Sequence, residues 1–247
     1  RDTKIASISS EPVNEEETLI ELQGNTANVI GNSVVVSSGR LAIIKTGTYT
    51  LRGDFNGSII IDARDKGVVN LILDGVNIKS SDTSAIYIEQ ASRVVINLVE
   101  GTKNVLTDSA NYVFDTNEDE PDSTIFSKDD LVINGTGSLI VNANYKDAIK
   151  CKDELVIMSG NIEVNSVDDG IIGKDSLLVS GGNIIVNSIG DGLKSTNSED
   201  SKLGNIVITG GTLKIDSQND CIQSENMIAI SSGMFELKSG EGNTIKS

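Results

Sequence analysis

The chain has 247 residues, with 20 Lys and Arg against 36 Asp and Glu, a formal net charge of −16 and no histidine. An acidic surface repels phosphate backbones and excludes a nucleic-acid partner, and the missing histidine removes the commonest general base and the commonest zinc ligand. With 24 Gly, 2 Pro, 4 Phe, 4 Tyr and no Trp, the composition favours short aliphatic strands joined by tight turns over a helical bundle.

In chain order, the stretch from Arg1 to Glu21 lacks the apolar core of an export signal. No segment approaches the ~20 apolar residues of a membrane span. Residues 1–24, Glu-rich over Glu11 to Glu17, read as a flexible lead-in. From Val29 to Leu73 the runs SVVVSS, AIIKTGTYTLRG, GSIIIDA and VVNLILDG predict looser strands that cap the apolar end of a repeat array. SAIYIEQASRVVINL, from Ser84, is a worn copy of the motif that follows. Residues 102–121 interrupt it and are acidic at Asp115, Glu118, Asp119 and Glu120, which predicts a projecting loop.

The motif then becomes explicit. DSTIFSKDDLVING begins at Asp122, DAIKCKDELVIMSG at Asp147, DGIIGKDSLLVSGG at Asp169 and DCIQSENMIAISSG at Asp220. Between the last two, DGLKS at Asp191 carries an insertion near 196–203 before GNIVITGG resumes. The interval is 22 residues from Asp147 to Asp169 and again to Asp191. NTIKS, from Asn243, opens one more copy.

Each copy holds three short strands with alternate aliphatic residues: Leu155 and Ile157, then Ile162 and Val164, then one residue such as Ile171. Alternation marks a strand with one buried face. Three strands in 22 residues are too few for a strand–helix–strand unit, which needs about 30. They predict an all-β fold, a single-stranded right-handed parallel β-helix solenoid over residues 25–247 with about 22 residues per coil and ~4.8 Å between coils. The Leu-x-x-Leu-x-Leu pattern of leucine-rich horseshoes and the Thr columns of ice-binding solenoids are both missing.

Stacking turns recurrent residues into columns. Asp122, Asp147, Asp169, Asp191 and Asp220 form an acidic column, and Asp168 adds a second carboxylate beside Asp169. Stacked carboxylates repel one another unless a proton, water or cation intervenes. Abundant Asp without His suits calcium, an oxygen-loving ion, so Asp147, Asp168, Asp169, Asp191 and Asp220 are the candidate metal ligands. The competing assignment is a turn role, because Asp side chains satisfy turn amides.

Lys150, Lys194 and Lys246 form a basic column beside the acidic one, interrupted by Ile172 and Gln223. Lys150 and Lys194 could hold a sugar carboxylate, or else simply balance the Asp column. Lys194 is the one weak candidate for a catalytic base, and that role would need a pKa far below the usual ~10.4. Asn142, Asn165, Asn187 and Asp216 read as an amide ladder at a corner, and Lys128-Asp129, Lys152-Asp153 and Lys174-Asp175 as an exposed ion-pair stripe. Cys151 and Cys221 fall three coils and about 14 Å apart, beyond disulfide reach, and are expected as free thiols.

The runs SKDDLVINGTGSLIV, DGIIGKDSLLVSGG and GDGLKSTNSED, with TGTYTLRGDFNGSIIIDA and LILDGVNIKSSDTSAIYI upstream, resemble a family of bacterial cell-surface carbohydrate-binding β-helix proteins of cellulolytic clostridia. The resemblance covers most of residues 25–247. It implies a polysaccharide-lyase-like fold, calcium on the coils, and affinity for plant cell-wall glycans, pectic and cellulose-like, outside the cell. Calcium-dependent pectate lyases resemble the chain more distantly. They group Asp residues around the ion as Asp147, Asp168 and Asp169 would, but their basic residue has no firm counterpart here. The expectation is therefore a monomeric, non-catalytic, calcium-dependent polysaccharide binder. The alternative is a pectate-lyase-type enzyme cleaving polyuronates by β-elimination.

Overall fold

The computed structural model describes residues 17–114 and 120–247, and among these the chain is all-β, with 26 strands and no helix. The strands form a 16-stranded and a 10-stranded sheet, mostly parallel. The larger sheet divides into two arms at the strand Val68–Lys79. Residues 68–73 of that strand pair with Arg93–Leu98, which starts the first arm, and residues 77–79 pair with Lys103–Thr107, which starts the second.

Each repeat visits all three faces in the same order. Asp147–Cys151 lies in the 10-stranded sheet, Glu154–Ile157 in the first arm and Asn161–Ser166 in the second. The chain then re-enters the 10-stranded sheet at Ile171–Gly173. Each strand of this repeat pairs in parallel with its equivalent 22 residues on, so Ile149 faces Ile171, Leu155 faces Leu177 and Ile162 faces Ile184. The columns predicted from alternation are therefore the columns of the core. Leu155, Leu177 and Ile206 are fully buried, as are Ile149, Ile171 and Leu193. One core of Ile, Leu and Val joins all three faces. A one-residue slip would turn every such column outward, so burial enforces this register.

Glycine meets the turns where neighbouring coils approach. At Gly135, φ is +98° and a Cβ would lie 2.2 Å from the Leu98 carbonyl oxygen of the preceding coil. Only glycine fits that contact.

Several expectations change. The lead-in expected over 1–24 ends in structure, because Thr18–Gly24 is a strand pairing in parallel with Gly47–Phe55, and it buries Ile20 and Leu22. Glu11 to Glu16 lies outside the described residues. The N-terminal turns include two antiparallel pairs, Thr26–Val29 on Thr18–Gly24 and Val34–Ser37 on Arg40–Ile43. The interruption expected over 102–121 starts later, because Lys103–Thr107 belongs to the second arm. Of its acidic residues, Asp115, Glu118 and Asp119 lie outside the described residues, while Glu120 binds Lys152 at 3.0 Å.

The Lys-Asp stripe does not pair as expected either. Lys128 reaches Glu89 at 3.0 Å, while Asp129 accepts the Ala91 N–H. Asp122 stands one residue out of the acidic column, since the ladder sets Ser123 opposite Asp147. Cys151 and Cys221 are free and buried, as expected.

Candidate functional site

The acidic column lies where the chain enters the 10-stranded sheet. Asp147, Asp169, Asp191 and Asp220 are all buried. Each uses Oδ1 to accept the backbone N–H of the equivalent position one coil on. Asp147 takes that of Asp169 at 3.2 Å, Asp169 that of Asp191 at 2.7 Å, Asp191 that of Asp220 at 2.9 Å, and Asp220 that of Asn243 at 2.7 Å. These corners leave backbone donors that no strand satisfies, and a short acceptor side chain supplies the partner. The turn role is thus real, and it uses one carboxylate oxygen of each Asp.

The second oxygen meets the basic column. Lys150 sits between Asp122 (2.7 Å) and Asp147 (3.4 Å), and Lys194 between Asp169 (2.8 Å) and Asp191 (2.7 Å). Lys246 reaches Asp220 at 3.2 Å. Lysines therefore fill alternate gaps of the column. Ile172 and Gln223 stand opposite Lys150 and Lys194 in the ladder, so the basic column places no lysine at the gaps between Asp147 and Asp169 and between Asp191 and Asp220. In the first of these, Asp168 brings a third carboxylate. Asp147, Asp168 and Asp169 each place an oxygen within 4.8 Å of the others.

The electrostatics single out the same gap. Burial pushes Asp147 up to about 7, with Lys150 opposing and the Asp169, Asp122 and Asp168 charges adding to the rise. Burial and the adjacent Asp169 also raise Asp168. Asp147 has the longest Oδ1 hydrogen bond and the longest lysine contact of the column, so its carboxylate is the least well served. One further oxygen, Oδ1 of Asp122, is buried and has no hydrogen-bond partner among the described residues.

The donor set fits calcium. It is all oxygen, and two oxygens on one calcium at 2.3–2.6 Å lie no more than ~5 Å apart. Asp191 and Asp220, also expected as ligands, stand outside this group and are balanced by Lys194 and Lys246. Lys150 and Lys194, expected at the glycan, are engaged by carboxylates. Burial alone would lower Lys194, but its hydrogen bonds to Asp169 and Asp191 outweigh that and hold it above the ordinary lysine range.

The amide column is a ladder on the outer surface. Asn165 donates to Asn142 Oδ1 at 3.1 Å and Asn187 to Asn165 Oδ1 at 2.9 Å. At its end Lys238 binds Asp216 at 2.7 Å. An aromatic cluster, which the sparse composition concealed, stands beside the acidic column. Tyr112 and Tyr145 stack with ring centroids 4.3 Å apart, Phe114 tilts against both, and the Lys146 ammonium lies 5.4 Å from the Tyr145 centroid. Tyr112 also donates to the buried Asp108 at 2.8 Å. The 33 positions separating Tyr112 from Tyr145 in sequence gave no signal of that contact.

Three similarities bear on identity. Residues 37–247 match the family described as carbohydrate-binding domain-containing protein. A protein of that description from Acetivibrio thermocellus is 41% identical over 237 residues, which is 95% of this chain and 82% of that protein. A solved structure, titled as the polysaccharide lyase-like protein from C. thermocellum in its gadolinium derivative, superposes with a TM-score of 0.83 at 36% identity. The match covers 93% of this chain and 97% of that one. A chain with this stack of parallel strands and this extent of likeness belongs to the family of carbohydrate-binding domain-containing proteins.

Proposed function

We propose that this chain is a calcium-binding polysaccharide-binding module, built as a right-handed parallel β-helix and acting outside the cell on pectic or cellulose-like plant cell-wall glycans. Membership of a carbohydrate-binding family supports polysaccharide as the ligand. The 22-residue return of the chain to each sheet in parallel register supports the β-helix. The observation that carries the calcium reading is the gap that the basic column skips, where Asp147, Asp168 and Asp169 converge. A similar protein yielded a gadolinium derivative, and gadolinium, like calcium, is a hard ion that prefers oxygen.

Asp147 and Asp169 would hold the ion from inside the coil corner and Asp168 from the exposed side. Calcium takes 6–8 oxygens, more than these carboxylates offer while their Oδ1 atoms also serve backbone N–H groups, so an outer position stays available to ligand oxygens. A uronate carboxylate suits that position. A protein at −16 repels a polyuronate over a Debye length, and a shared cation turns the repulsion at contact into coordination.

Turnover is not part of this reading. A base for β-elimination must be neutral near pH 7, and Asp169 and Asp191 hold Lys194 in its charged form.

Affinity electrophoresis in gels containing polygalacturonate tests the proposal. The chain should be retarded with calcium and released by EGTA, Asp168→Asn should migrate freely in both, and no unsaturated product should absorb in the ultraviolet. Retardation that EGTA leaves unchanged would refute the calcium reading. Lyase product that Lys194→Ala abolishes would refute the non-catalytic one.

A further inference from the structure

A groove of about 750 Å³ runs along the amide ladder and across successive coils. Its volume falls in the usual ~300–1,000 Å³ range of small-molecule sites. Asn142, Asn165 and Asn187 line it, and Val167 and Ile189, 49% and 58% exposed, stand beside them. The charged side chains lining the groove, Asp216 and Lys238, form an ion pair with each other at 2.7 Å. The groove therefore carries no net charge on a molecule that is strongly acidic elsewhere.

The ladder leaves hydrogen-bonding capacity unused. A carboxamide has two N–H donors and an oxygen that accepts twice. Asn187 gives one N–H to Asn165, and among the described residues its second N–H and its oxygen have no side-chain partner. Asn142 likewise gives one N–H, to Thr107 Oγ1 at 3.4 Å. Asn165 gives its amide to both Asn142 and Glu163, the latter at 3.4 Å, so the unused N–H groups stand at Asn142 and Asn187, two coils apart, and the exposed Val167 and Ile189 stand beside them one coil, or ~4.8 Å, apart. A 1,4-linked hexopyranose chain advances by close to that distance per sugar, and each sugar carries hydroxyls at its edge and a C–H face. Peptides and phosphorylated ligands lack this combination of neutrality, hydroxyl edges and matching repeat.

We propose that the amide groove is a binding track for a neutral, linear 1,4-linked glycan lying along the stacking direction, one sugar per coil, and that it needs no calcium. The track lies beside the cation gap, with Val167 lining it next to Asp168, and it deepens the polysaccharide-binding reading on which it rests. The two sites would take different ligands, a neutral chain on the amides and a uronate on the ion.

Calorimetry with cellohexaose in EGTA tests the track, alongside polygalacturonate in calcium. The intact chain should bind cellohexaose in EGTA. Asn187→Ala should weaken that binding by about 2- to 10-fold, the range for loss of one hydrogen bond. Ile189→Glu, at an exposed position that leaves the core intact, should weaken it more, with an unchanged thermal midpoint to verify folding. Cellohexaose binding that neither substitution alters would overturn the track, and so would binding that EGTA abolishes. If the intact chain binds polygalacturonate with calcium but not cellohexaose, the track fails and the calcium-dependent reading stands. Binding to neither sugar would remove both.

Discussion

Replacing Asp147 by asparagine should stabilise the metal-free protein at alkaline pH, the reverse of the usual result for a buried, ion-paired aspartate. The substituted side chain keeps an oxygen for the Asp169 N–H, which lies 3.2 Å from Oδ1 of Asp147, and Lys150 keeps Asp122 at 2.7 Å. What disappears is a charge that burial disfavours, in a carboxyl pushed up from 3.8 to about 7. The folded state therefore binds this proton more tightly than the unfolded chain does. Its contribution to stability is greatest below pH ~4, declines as pH rises towards 7 and then levels off. Three pH units at ~1.4 kcal/mol each set an upper limit of about 4 kcal/mol, and relaxation around the charge reduces this to about 1–3 kcal/mol. In EGTA at pH 8, Asp147→Asn should melt higher than the parent by about 2–12 °C, at ~2–4 °C per kcal/mol for a chain of this size. The difference should vanish near pH 4. Calcium should reverse the order, because an ion at 1,000 times its Kd adds ~4.1 kcal/mol to the parent and nothing to the variant. Thermal unfolding followed by circular dichroism at pH 4.5 and pH 8, with calcium and with EGTA, gives all four values. A variant less stable than the parent at pH 8 in EGTA would refute the reasoning.

Lys194→Met strands the Asp169 and Asp191 carboxylates and should cost about 2–3 kcal/mol at pH 8, less than the ~3–5 of a fully buried pair, and less still at pH 4.5. Urea titration at both pH values measures it, and an equal loss at both would count against the pairing. Leu177→Ala, at a fully buried position in the first arm, should cost about 2–5 kcal/mol, read as a lower denaturation midpoint. Burial pushes the Cys151 thiol up to about 12, and Cys221 is fully buried, so neither should react with a thiol reagent until the chain unfolds. Rapid labelling of the native protein would contradict the burial of both.

The repeat was legible because a stack of like turns writes its register into the sequence. Leu155, Leu177 and Ile206 recur at the first-arm position, and the ladder sets each opposite the next. The same logic failed at Asp122. Its motif begins 25 residues before Asp147, but the strands pair at an offset of 24, so Ser123 takes the column position. A slip of one residue changes which side chain faces a gap, and only the pairing reveals it. The gaps in the lysine column at Ile172 and Gln223 were visible in the sequence. Their meaning required knowing that each lysine bridges its own Asp and the preceding one, a matter of side-chain reach. The antiparallel N-terminal pairs depend on single local turns without a repeat to expose them. The Tyr112–Tyr145 stack forms only because residues 108–114 fold back on a later coil, which no periodicity encodes.

Diffraction from crystals grown in calcium, with data collected for the anomalous signal of the ion, tests the central claim most directly. An ion should stand in the gap between Asp147 and Asp169, with oxygens of Asp147, Asp168 and Asp169 at about 2.3–2.6 Å. The gap between Asp169 and Asp191, where Lys194 bridges the carboxylates, should hold no calcium. A metal-free Asp147–Asp169 gap in saturating calcium, with the three carboxylates unchanged, would contradict the account.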